Sequence, residues 1–360
     1  MARVCFLGGV IANSGGTERV GTMIANALAE RGHEVTMLSF WDHGKPFFPV
    51  NEHVTVDYLM RSGLDGKLYR TYIYPILKLR SYVKKHRFDV LIDIDSVLAY
   101  WSVPALRGLP CKHIVWDHFN YRHIQTEPRR VKAYELTRDH ADKLVLLTQQ
   151  DCDMYVQAGF PPSKLHVINN PTPFEGVRRS PREGHIVLSV GRLTDQKGYD
   201  RLIAVWSRIS DQVGDWKLVI VGSGELESSL KRQVMDANID NILFVPATKD
   251  VEHWYDRASI YAMTSRFEGF PMVLLEAMAK GLPIIAYDCL TGPREMVHDG
   301  ETGYLVPDGD ANQFAQKLLK MLSNRSLQDQ YSQAALHAVN RFYLRSIADQ
   351  WESLIKDILE

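Results

Sequence analysis

The sequence predicts an α/β protein built from two doubly wound domains, each with a parallel sheet. Three observations support this prediction. Short apolar runs alternate with helical patterns through almost the whole chain, which is typical of parallel α/β construction. The alternation occurs twice, on either side of a segment rich in proline and glycine at 169–184. The length of 360 residues exceeds one ordinary core and suits two domains of about 150 to 180 residues.

In the first half, apolar runs predict strands that are separated by helical patterns. The predicted strands are Arg3–Leu7, Val35–Phe40, Val90–Ile94, His113–Trp116 and Lys143–Leu147. Residues 17–30 place apolar side chains at helical spacing, and Gly32 suits the position just past the end of that helix. We expect the first domain to cover residues 1–170, with a C-terminal helix at about 342–360 packing back onto it.

The second half repeats this arrangement and is expected to form a domain over residues 184–341. Its predicted strands are His185–Val190, Lys217–Val221, Ile242–Val245, Ile260–Met263 and Pro283–Ala286. Helices are expected from about Tyr199 and Glu225. In open parallel sheets ligands bind beyond the carboxyl ends of the strands. We therefore expect the two domains to face each other across a cleft that contains the functional site.

Composition excludes several classes of protein. The formal net charge of -1 gives no reason to expect a nucleic-acid partner. The four cysteines lie far apart and form no CxxC pair, as in a reduced protein. No apolar run approaches the roughly 18 to 20 residues of a membrane span, and the start lacks the features of a signal peptide. We expect a cytoplasmic protein, either free or peripheral on the inner face of the cell membrane.

The segment Arg266–Gly281 (RFEGFPMVLLEAMAKG) combines a loop with a short helix. Pro271 suits the first turn of a helix that then runs to Lys280. The first turn of such a helix presents N–H groups and a partial positive charge, which can cradle a pyrophosphate. Glu276 lies one turn further in, where its carboxylate could accept hydrogen bonds from ribose hydroxyls, and Glu268 faces whatever lies beyond the phosphates. A capped helix with a solvated glutamate is the alternative interpretation.

Two further segments supply groups suited to a phosphate. Residues 191–200 (GRLTDQKGYD) follow a predicted strand and place Arg192 and Lys197 at its carboxyl end, where two cations can neutralise a departing diphosphate. An ordinary pair of surface cations is the alternative. Gly15 and Gly16, between the first strand and the first helix, let the backbone approach a phosphate or sugar closely. Their spacing is not GxGxxG, so the dinucleotide fingerprint is missing and an NAD-dependent oxidoreductase is disfavoured.

Together these segments make the chain resemble the large family 4 of retaining glycosyltransferases. The resemblance covers nearly the whole chain and rests on the GGTE loop, the GRL…KG segment, GSGE at Gly222–Glu225 and the paired glutamates of EGFPMVLLE. It implies the GT-B fold, two facing Rossmann-like doubly wound domains with an interdomain cleft. The tail Asp288–Val306 is similar to the subset that acts in bacterial polysaccharide and lipopolysaccharide assembly, where UDP-hexose and UDP-N-acetylhexosamine donors are common.

The resemblance also implies roles for individual residues. Arg192 and Lys197 would hold the donor diphosphate, Glu276 the ribose and Glu268 the donor sugar. Further donor-binding positions implied by the family pattern are Gly15, Gly16, Phe270, Pro271, Met272 and Val273. The base region would lie at Val245, Pro246 and Lys249. Pro246 and Ala247 stand where many relatives carry a glycine, which leaves the identity of the base open.

His118 and the acids around it are the candidates for chemistry in the first half. His118, in VWDHFN, matches the family's amino-domain histidine beside the donor sugar, where a neutral imidazole could bind a sugar hydroxyl; a structural histidine is the alternative. Asp117 is an equally good participant. Asp93 and Asp95 form a DxD sequence, which could hold a divalent cation. Because the phosphate site has its own cations, we expect no metal here and assign Asp95 a cleft-lining or acceptor role, with Asp117 as a second acceptor candidate.

The implied reaction is retaining transfer of a hexose or N-acetylhexosamine from a UDP-sugar to a glycan or lipid-linked glycan, without metal or cofactor. A UDP-sugar epimerase on the same fold and a non-catalytic nucleotide-sugar-binding subunit are the alternatives. The stretch 61–87 holds eight basic residues against one acid. Such a stretch can lie on an anionic membrane surface, or it can be an ordinary amphipathic helix packed on the core.

Overall fold

The computed structural model describes residues 1–61, 69–176, 179–182 and 184–360. Within these ranges the chain forms two compact units, one of Met1–Pro171 with Leu344–Glu360 and one of Thr172–Tyr343. Of the segment 169–184 that we predict to be a linker, residues 177, 178 and 183 lie outside the described residues.

A parallel sheet forms the centre of the first unit. Its strands are β1 (Arg3–Gly8), β2 (Glu34–Asp42), β3 (Val54–Arg61), β4 (Val90–Ile94), β5 (Lys112–Trp116), β6 (Lys143–Leu146) and β7 (Leu165–Val167). Their order is β3-β2-β1-β4-β5-β6-β7, and all neighbours pair in parallel. The order reverses direction between β1 and β4, which makes this the topological switch point of the sheet.

Helices cover this sheet by burying their apolar stripes. They are α1 (Gly16–Glu30), α2 (Tyr74–His86), α3 (Ala99–Leu106), α4 (Tyr121–Ile124), α5 (Pro128–His140) and α6 (Gln149–Gln157). In α2, Leu79 and Val83 are buried in the core, whereas Ile73, Tyr74 and Leu77 at its start are exposed. The inner side of α2 therefore packs as an ordinary amphipathic helix, while its outer side keeps apolar groups in contact with solvent.

The second unit repeats the strand order of the first. Its strands are β8 (Ile186–Val190), β9 (Lys217–Val221), β10 (Ile242–Val245), β11 (Ile260–Met263), β12 (Ile284–Asp288) and β13 (Gly303–Pro307). They lie in the order β10-β9-β8-β11-β12-β13 and pair in parallel. The switch point lies between β8 and β11, the counterparts of β1 and β4. The predicted α/β class with two doubly wound sheets is confirmed.

The helices of this unit complete its core. They are α7 (Tyr199–Trp206), α8 (Glu227–Asp236), α9 (Glu252–Arg257), α10 (Met272–Ala279), α11 (Pro293–Met296), α12 (Ala311–Leu322) and α13 (Arg325–Ala338). The side chains of Leu202, Ile203 and Trp206 on α7 are fully buried against the sheet. Several predicted boundaries in this unit were wrong by one or two residues. The strand expected from His185 begins at Ile186, the helix expected from Glu225 begins at Glu227, and the strand expected at Pro283–Ala286 is β12.

The last helix returns to the first unit. This helix, α14 (Leu344–Leu359), buries the indole of Trp351 against Trp116, with 4.7 Å between ring centroids. Arg31, the C-cap residue of α1, binds Glu352 at 2.8 Å. Burying a large aromatic side chain stabilises a fold by about 1.5 to 3 kcal/mol, so this contact ties the chain end firmly to the first sheet.

In the part of the chain that the structure describes, no helix is both long and apolar enough to cross a membrane. For the stretch 61–87 we predict either contact with a membrane through its basic residues or packing on the core. Of these basic residues, Lys67 and the side chains of Arg61 and Arg70 lie outside the described residues. Lys84, Lys85 and Arg87 are exposed.

Candidate active site

The loops that follow β8 and β11 meet at the switch point of the second sheet. The Lys197 Nζ donates to both carboxylate oxygens of Glu268, at 2.8 and 3.1 Å. The side chain of Lys197 is 19% exposed and that of Glu268 is 6% exposed. Two residues 71 positions apart thus form an ion pair where ligands of such sheets bind.

Gly198 allows these loops to come together. Its φ is +62°, and a Cβ atom at this position would lie 2.2 Å from the carbonyl oxygen of Thr264. The Thr264 hydroxyl donates to the carbonyl of Gly198 at 2.9 Å, and the Arg266 N–H donates to that of Gln196 at 2.8 Å. Any side chain at Gly198 would push the loops apart and separate Lys197 from Glu268.

Arg266, two residues before Glu268, forms a second ion pair. Its guanidinium donates to both oxygens of Asp200, at 2.9 and 2.7 Å, a bidentate arrangement that fixes both side chains. Hydrogen bonding from Arg266 lowers the pKa of Asp200. This ion pair joins the start of α7 to the loop after β11. The sequence did not predict the pairing, because nothing in either segment indicates its partner.

Arg192 lies on the loop after β8, five residues before Lys197, with its guanidinium in solvent. The residue is exposed, and no hydrogen bond or ion pair joins its guanidinium to any residue that the structure describes. The backbone of the next residue is held in place, because the Leu193 N–H donates to the carbonyl of Ser223, in the loop after β9, at 3.0 Å. Arg192 therefore offers an unengaged guanidinium on a constrained loop.

The start of α10 is held by the loop after β12. Gly292 has φ +94°, and a Cβ there would lie 2.4 Å from the Cδ of Pro271. The hydroxyl of Thr291 donates to the carbonyl of Glu268. Pro271 is the N-cap of the helix, not part of its first turn as we predict. The first N–H groups of a helix have no acceptor within it, so they can serve an anion.

Glu276 faces inward from α10. The residue is 6% exposed, and its Oε2 accepts a hydrogen bond from the hydroxyl of Tyr255 at 2.8 Å. Of the other predicted donor-binding residues, Phe270 is buried against Phe342, while Met272 and Val273 are half-buried. Sequence reasoning missed Tyr255, because nothing local distinguishes it from any tyrosine on a short helix.

The predicted base region follows β10. Val245 ends that strand and is half-buried, while Pro246 and Lys249 are exposed. The Ala247 N–H donates to the Ser223 hydroxyl at 3.1 Å. Contacts of this kind join the loops after β8, β9 and β10 along the carboxyl edge of the sheet.

The first unit has its own group of side chains at the equivalent edge. Asp95 directly follows β4, and Arg130 donates to both of its carboxylate oxygens at 2.8 and 3.1 Å. The Arg130 guanidinium also lies over the ring of Phe119, 4.2 Å from the centroid. Asp95 has φ 142°, a strained conformation for a residue with a side chain, and such strain clusters at functional sites.

Asp117 and His118 follow β5 at this edge. Burial raises the pKa of Asp117 to about 6, against hydrogen bonds from Tyr155 at 2.5 Å and Ser96 at 2.9 Å. Burial lowers the pKa of His118 to about 4, although the charge of Asp95 opposes this. The Nε2 of His118 has no hydrogen-bond partner among the described residues. At neutral pH this histidine is therefore a neutral imidazole with an unused polar atom.

Asp93 and Asp95 of the DxD sequence serve different partners. Asp93 is fully buried and contacts the Ser102 hydroxyl at 2.5 Å and the His113 Nε2 at 2.9 Å. Asp95 instead binds Arg130. Over the described ranges, no group of three or more His, Cys, Asp or Glu side chains is arranged to hold a metal.

Gly15 and Gly16 lie at the same edge of the first sheet. Gly15 is the N-cap of α1 and Gly16 its first residue, and both are exposed. The structure thus places the predicted site residues in two groups. Arg192, Lys197, Glu268, Glu276 and the start of α10 belong to the second unit, and Gly15, Gly16, Asp95, Asp117 and His118 to the first.

Known proteins resemble this chain along its whole length. Residues 14–175 match the sequence model described as Glycosyltransferase Family 4, and residues 174–337 match that described as Glycosyl transferases group 1. An uncharacterized glycosyltransferase of Haemophilus influenzae is 34% identical over 96% of this chain and 97% of its own. The amylovoran biosynthesis glycosyltransferase AmsD of Erwinia amylovora is 30% identical over 96% and 97%.

More distant relatives and solved structures extend this likeness. A Campylobacter jejuni relative, 24% identical over 96% of each chain, is an α-1,4-N-acetyl-D-galactosaminyltransferase acting on a diphospho-undecaprenol-linked glycan. The lipopolysaccharide outer core galactosyltransferase WaaB has a TM-score of 0.79 at 22% identity over 99% of both chains. Anabaena HepE in complex with UDP-glucose has a TM-score of 0.82 at 18% identity, covering 99% of this chain and 100% of its own.

Fold and sequence together define a transferase of the GT-B class with two Rossmann-like domains. The chain belongs to the glycosyltransferases of the family 4 and group 1 type. It is related to bacterial enzymes of lipopolysaccharide and exopolysaccharide synthesis.

Proposed function

We propose that this glycosyltransferase moves a hexose or N-acetylhexosamine from a UDP-sugar to a glycan or lipid-linked glycan during assembly of a bacterial surface polysaccharide, with retention of anomeric configuration. The observation that carries the proposal is the Lys197–Glu268 ion pair at the switch point of the second sheet. The exposed Arg192 lies on the same loop as Lys197, and α10 starts directly after the loop that carries Glu268.

The charges of this site suit a leaving diphosphate. Lys197 has three N–H donors and contacts the two oxygens of Glu268, so it can keep this pairing and still donate to a phosphate. Arg192 can add a two-pronged contact to phosphate oxygens. The first turn of α10 supplies N–H groups and a partial positive charge. Negative charge grows on the diphosphate as the sugar leaves, and these donors stabilise it most at that point.

Retention follows if the acceptor hydroxyl attacks on the face from which the diphosphate leaves. A phosphate oxygen of the leaving group then takes the proton of the acceptor, and the protein needs no strong base. Glu268, beside Lys197, is suited to bind hydroxyls of the donor sugar. His118 suits a hydrogen bond to a sugar hydroxyl, because its pKa of about 4 keeps the imidazole neutral.

The relatives support the choice of donor and acceptor. HepE was solved with UDP-glucose. The Campylobacter relative transfers N-acetylgalactosamine to a lipid-linked glycan, and AmsD acts in amylovoran biosynthesis. A UDP-sugar donor and a glycan acceptor are the substrates that these likenesses favour.

A direct test incubates the full-length protein with a panel of UDP- and GDP-sugars and with undecaprenyl-linked or lipopolysaccharide-derived glycans. Acceptor-dependent release of UDP is expected, together with a product whose anomeric configuration, read by NMR coupling constants, equals that of the donor. An inverted product, or release of nucleotide only from GDP-sugars, would contradict the proposal.

We also propose that α2 and its preceding turn rest on an anionic membrane surface. Exposed Ile73, Tyr74 and Leu77 lie on the same helical segment as exposed Lys84 and Lys85, a combination that interfacial helices use. Replacing both lysines by glutamate should lower binding to vesicles of phosphatidylglycerol by about thirtyfold or more, since each basic residue contributes about 1 kcal/mol and every 1.4 kcal/mol is tenfold in affinity.

The matched control replaces the exposed Lys217 and Lys320 of the second unit by glutamate, which changes the net charge equally. If both double variants lose binding alike, general charge attraction and not this helix explains it. Sedimentation of the protein with vesicles measures the effect.

A further inference from the structure

Tyr255 is a buried tyrosine whose hydroxyl points at a carboxylate of the candidate site. It lies on α9 and is fully buried. Its hydroxyl oxygen is 2.8 Å from Glu276 Oε2 and 3.4 Å from the carbonyl oxygen of Val273. A hydroxyl has one proton to donate, so the shorter contact identifies the carboxylate as its acceptor.

The ring of Tyr255 is held on two sides, which fixes where its hydroxyl lies. Tyr261 of β11 stacks on it with 5.8 Å between centroids and 15° between planes, and Phe174 meets it edge-on at 5.8 Å. The Tyr261 hydroxyl in turn accepts from the Val190 N–H at 3.2 Å. Val190 ends β8, two residues before Arg192. The donor to Glu276 is therefore built into the same strand ends that carry the phosphate-binding loops.

A buried carboxylate needs such a donor. Glu276 is 6% exposed, and a buried ionised group without hydrogen bonds is strongly disfavoured. A carboxylate has about four lone-pair sites, so accepting from Tyr255 does not by itself prevent Glu276 from accepting hydroxyl protons of a ligand. The bond from Tyr255 holds the carboxylate in one orientation.

We infer that Tyr255 is a positioning residue that orients the Glu276 carboxylate toward the ribose hydroxyls of the nucleotide. This inference rests on the proposed use of a UDP-sugar. Tyr255 touches neither sugar nor phosphate in this role and acts through Glu276 alone.

The test compares the affinities of UDP and 2′-deoxy-UDP by calorimetry on the full-length protein. Because the deoxy compound lacks one ribose hydroxyl, wild type should prefer UDP by about tenfold, the scale of a hydrogen bond to a charged group. In Tyr255→Phe, which removes only the oxygen, this preference should fall to about two- to threefold. The KM for the donor should rise by a similar factor while kcat changes little.

Tyr331→Phe is the matched control, because Tyr331 is also buried in the second unit, at 2% exposure, and packs on Tyr304 of β13. It should retain the wild-type preference for UDP. A merely structural role of Tyr255 would weaken both ligands equally and leave their ratio unchanged, and that result would overturn the inference.

The possible outcomes separate this inference from the proposed function. If wild type binds neither nucleotide, the proposed use of a UDP-sugar fails. If it binds UDP and 2′-deoxy-UDP equally well, the ribose contact of Glu276 is wrong, and the inference fails while the donor class stands. If wild type distinguishes them and Tyr255→Phe distinguishes them equally well, only the role of Tyr255 is wrong.

A second variant covers the case in which Tyr255→Phe does not fold. Difluorotyrosine at position 255 keeps the ring and hydroxyl but makes the hydroxyl a stronger donor. The ratio of the two affinities should then change by at least about twofold, and an unchanged ratio would count against the inference.

Discussion

The carboxyl edges of the two sheets occupy equivalent places in the same strand order, yet they present different chemistry. At the edge of the second sheet, Lys197 and Arg192 supply positive charge, and the Lys197–Glu268 pair keeps partial access to solvent. At the edge of the first sheet, acids dominate. Asp95 is paired with Arg130, and burial raises the pKa of Asp117 to about 6.

This difference shows that two sheets with the same strand order can bind different groups at their carboxyl edges. The strand order determines where loops converge, because carboxyl ends of parallel strands meet at a switch point. The residues of the loops determine what binds there. A cationic edge suits a diphosphate, whereas an edge with a neutral imidazole and acids suits uncharged hydroxyl groups.

Removing the ammonium of the second edge should have the largest effect. Lys197→Ala is expected to lower kcat/KM by about 10²-fold or more, the scale of losing a donor that acts on transition-state charge. Lys217→Ala, which removes an exposed lysine at the start of β9, should leave kcat/KM within twofold. Equal kcat/KM values for Lys197→Ala and Lys217→Ala would contradict a special role of Lys197 at the second edge.

A double variant tests whether Lys197 and Glu268 act as a pair. Glu268→Ala alone should also cost about 10²-fold in kcat/KM. Because the two groups touch at 2.8 Å, the combined loss in Lys197→Ala/Glu268→Ala should be smaller than the product of the single losses, by about 1 kcal/mol or more. Fully multiplicative losses would show that the two side chains act independently.

At the first edge we expect a loss of stability. Arg130→Ala leaves the carboxylate of Asp95, which is 21% exposed, without its partner. The free energy of unfolding should fall by about 1 to 3 kcal/mol, below the cost of breaking a fully buried pair. Urea unfolding measures this, with Arg129→Ala as the control because Arg129 is its exposed neighbour. A shift no larger than that of the control would mean that the pair contributes little.

Asp151 should have a smaller effect, a dependence of the free energy of unfolding on pH. Burial, helped by the charge of Asp117, raises the pKa of Asp151 to about 8, whereas in the unfolded chain an aspartate titrates near 4. The folded state therefore holds more protons between about pH 4 and pH 8, and its stability falls as pH rises through that window.

Asp151→Asn stays uncharged and can still accept the hydrogen bond from the Tyr121 N–H. The free energy of unfolding of Asp151→Asn should exceed that of wild type by on the order of 1 kcal/mol at pH 8.5 and by little at pH 4. Asp153→Asn, on the exposed side of the same helix, should show no such pH-dependent gain in thermal unfolding. A gain of equal size at both pH values would exclude the titration of Asp151 as its cause.

The sequence predicted the central strands well because they are buried on both faces and form continuous apolar runs. Val90–Ile94 and Lys217–Val221 were predicted with the observed bounds. The strands β3, β7 and β13 were missed, and all three lie at an edge of their sheet. β7 has only three residues, and β13 begins at a glycine. Edge strands of this kind are formed by pairing with a neighbour and not by local preference.

The candidate site shows the same division between local and long-range information. Lys197 and Glu268 could be singled out from their motifs, but their direct contact spans 71 positions. Arg130 lies 35 positions from Asp95, and Tyr255 belongs to no motif. Such partners are selected by tertiary packing, which a pattern along one chain does not encode.

The central claim is that the carboxyl edge of the second sheet binds a nucleoside diphosphate. A crystal structure of the full-length protein with UDP tests it most directly. The account predicts the diphosphate within hydrogen-bond distance of Arg192, Lys197 and the first N–H groups of α10, with the ribose hydroxyls on Glu276. UDP bound at any other surface, with these groups unengaged, would contradict it.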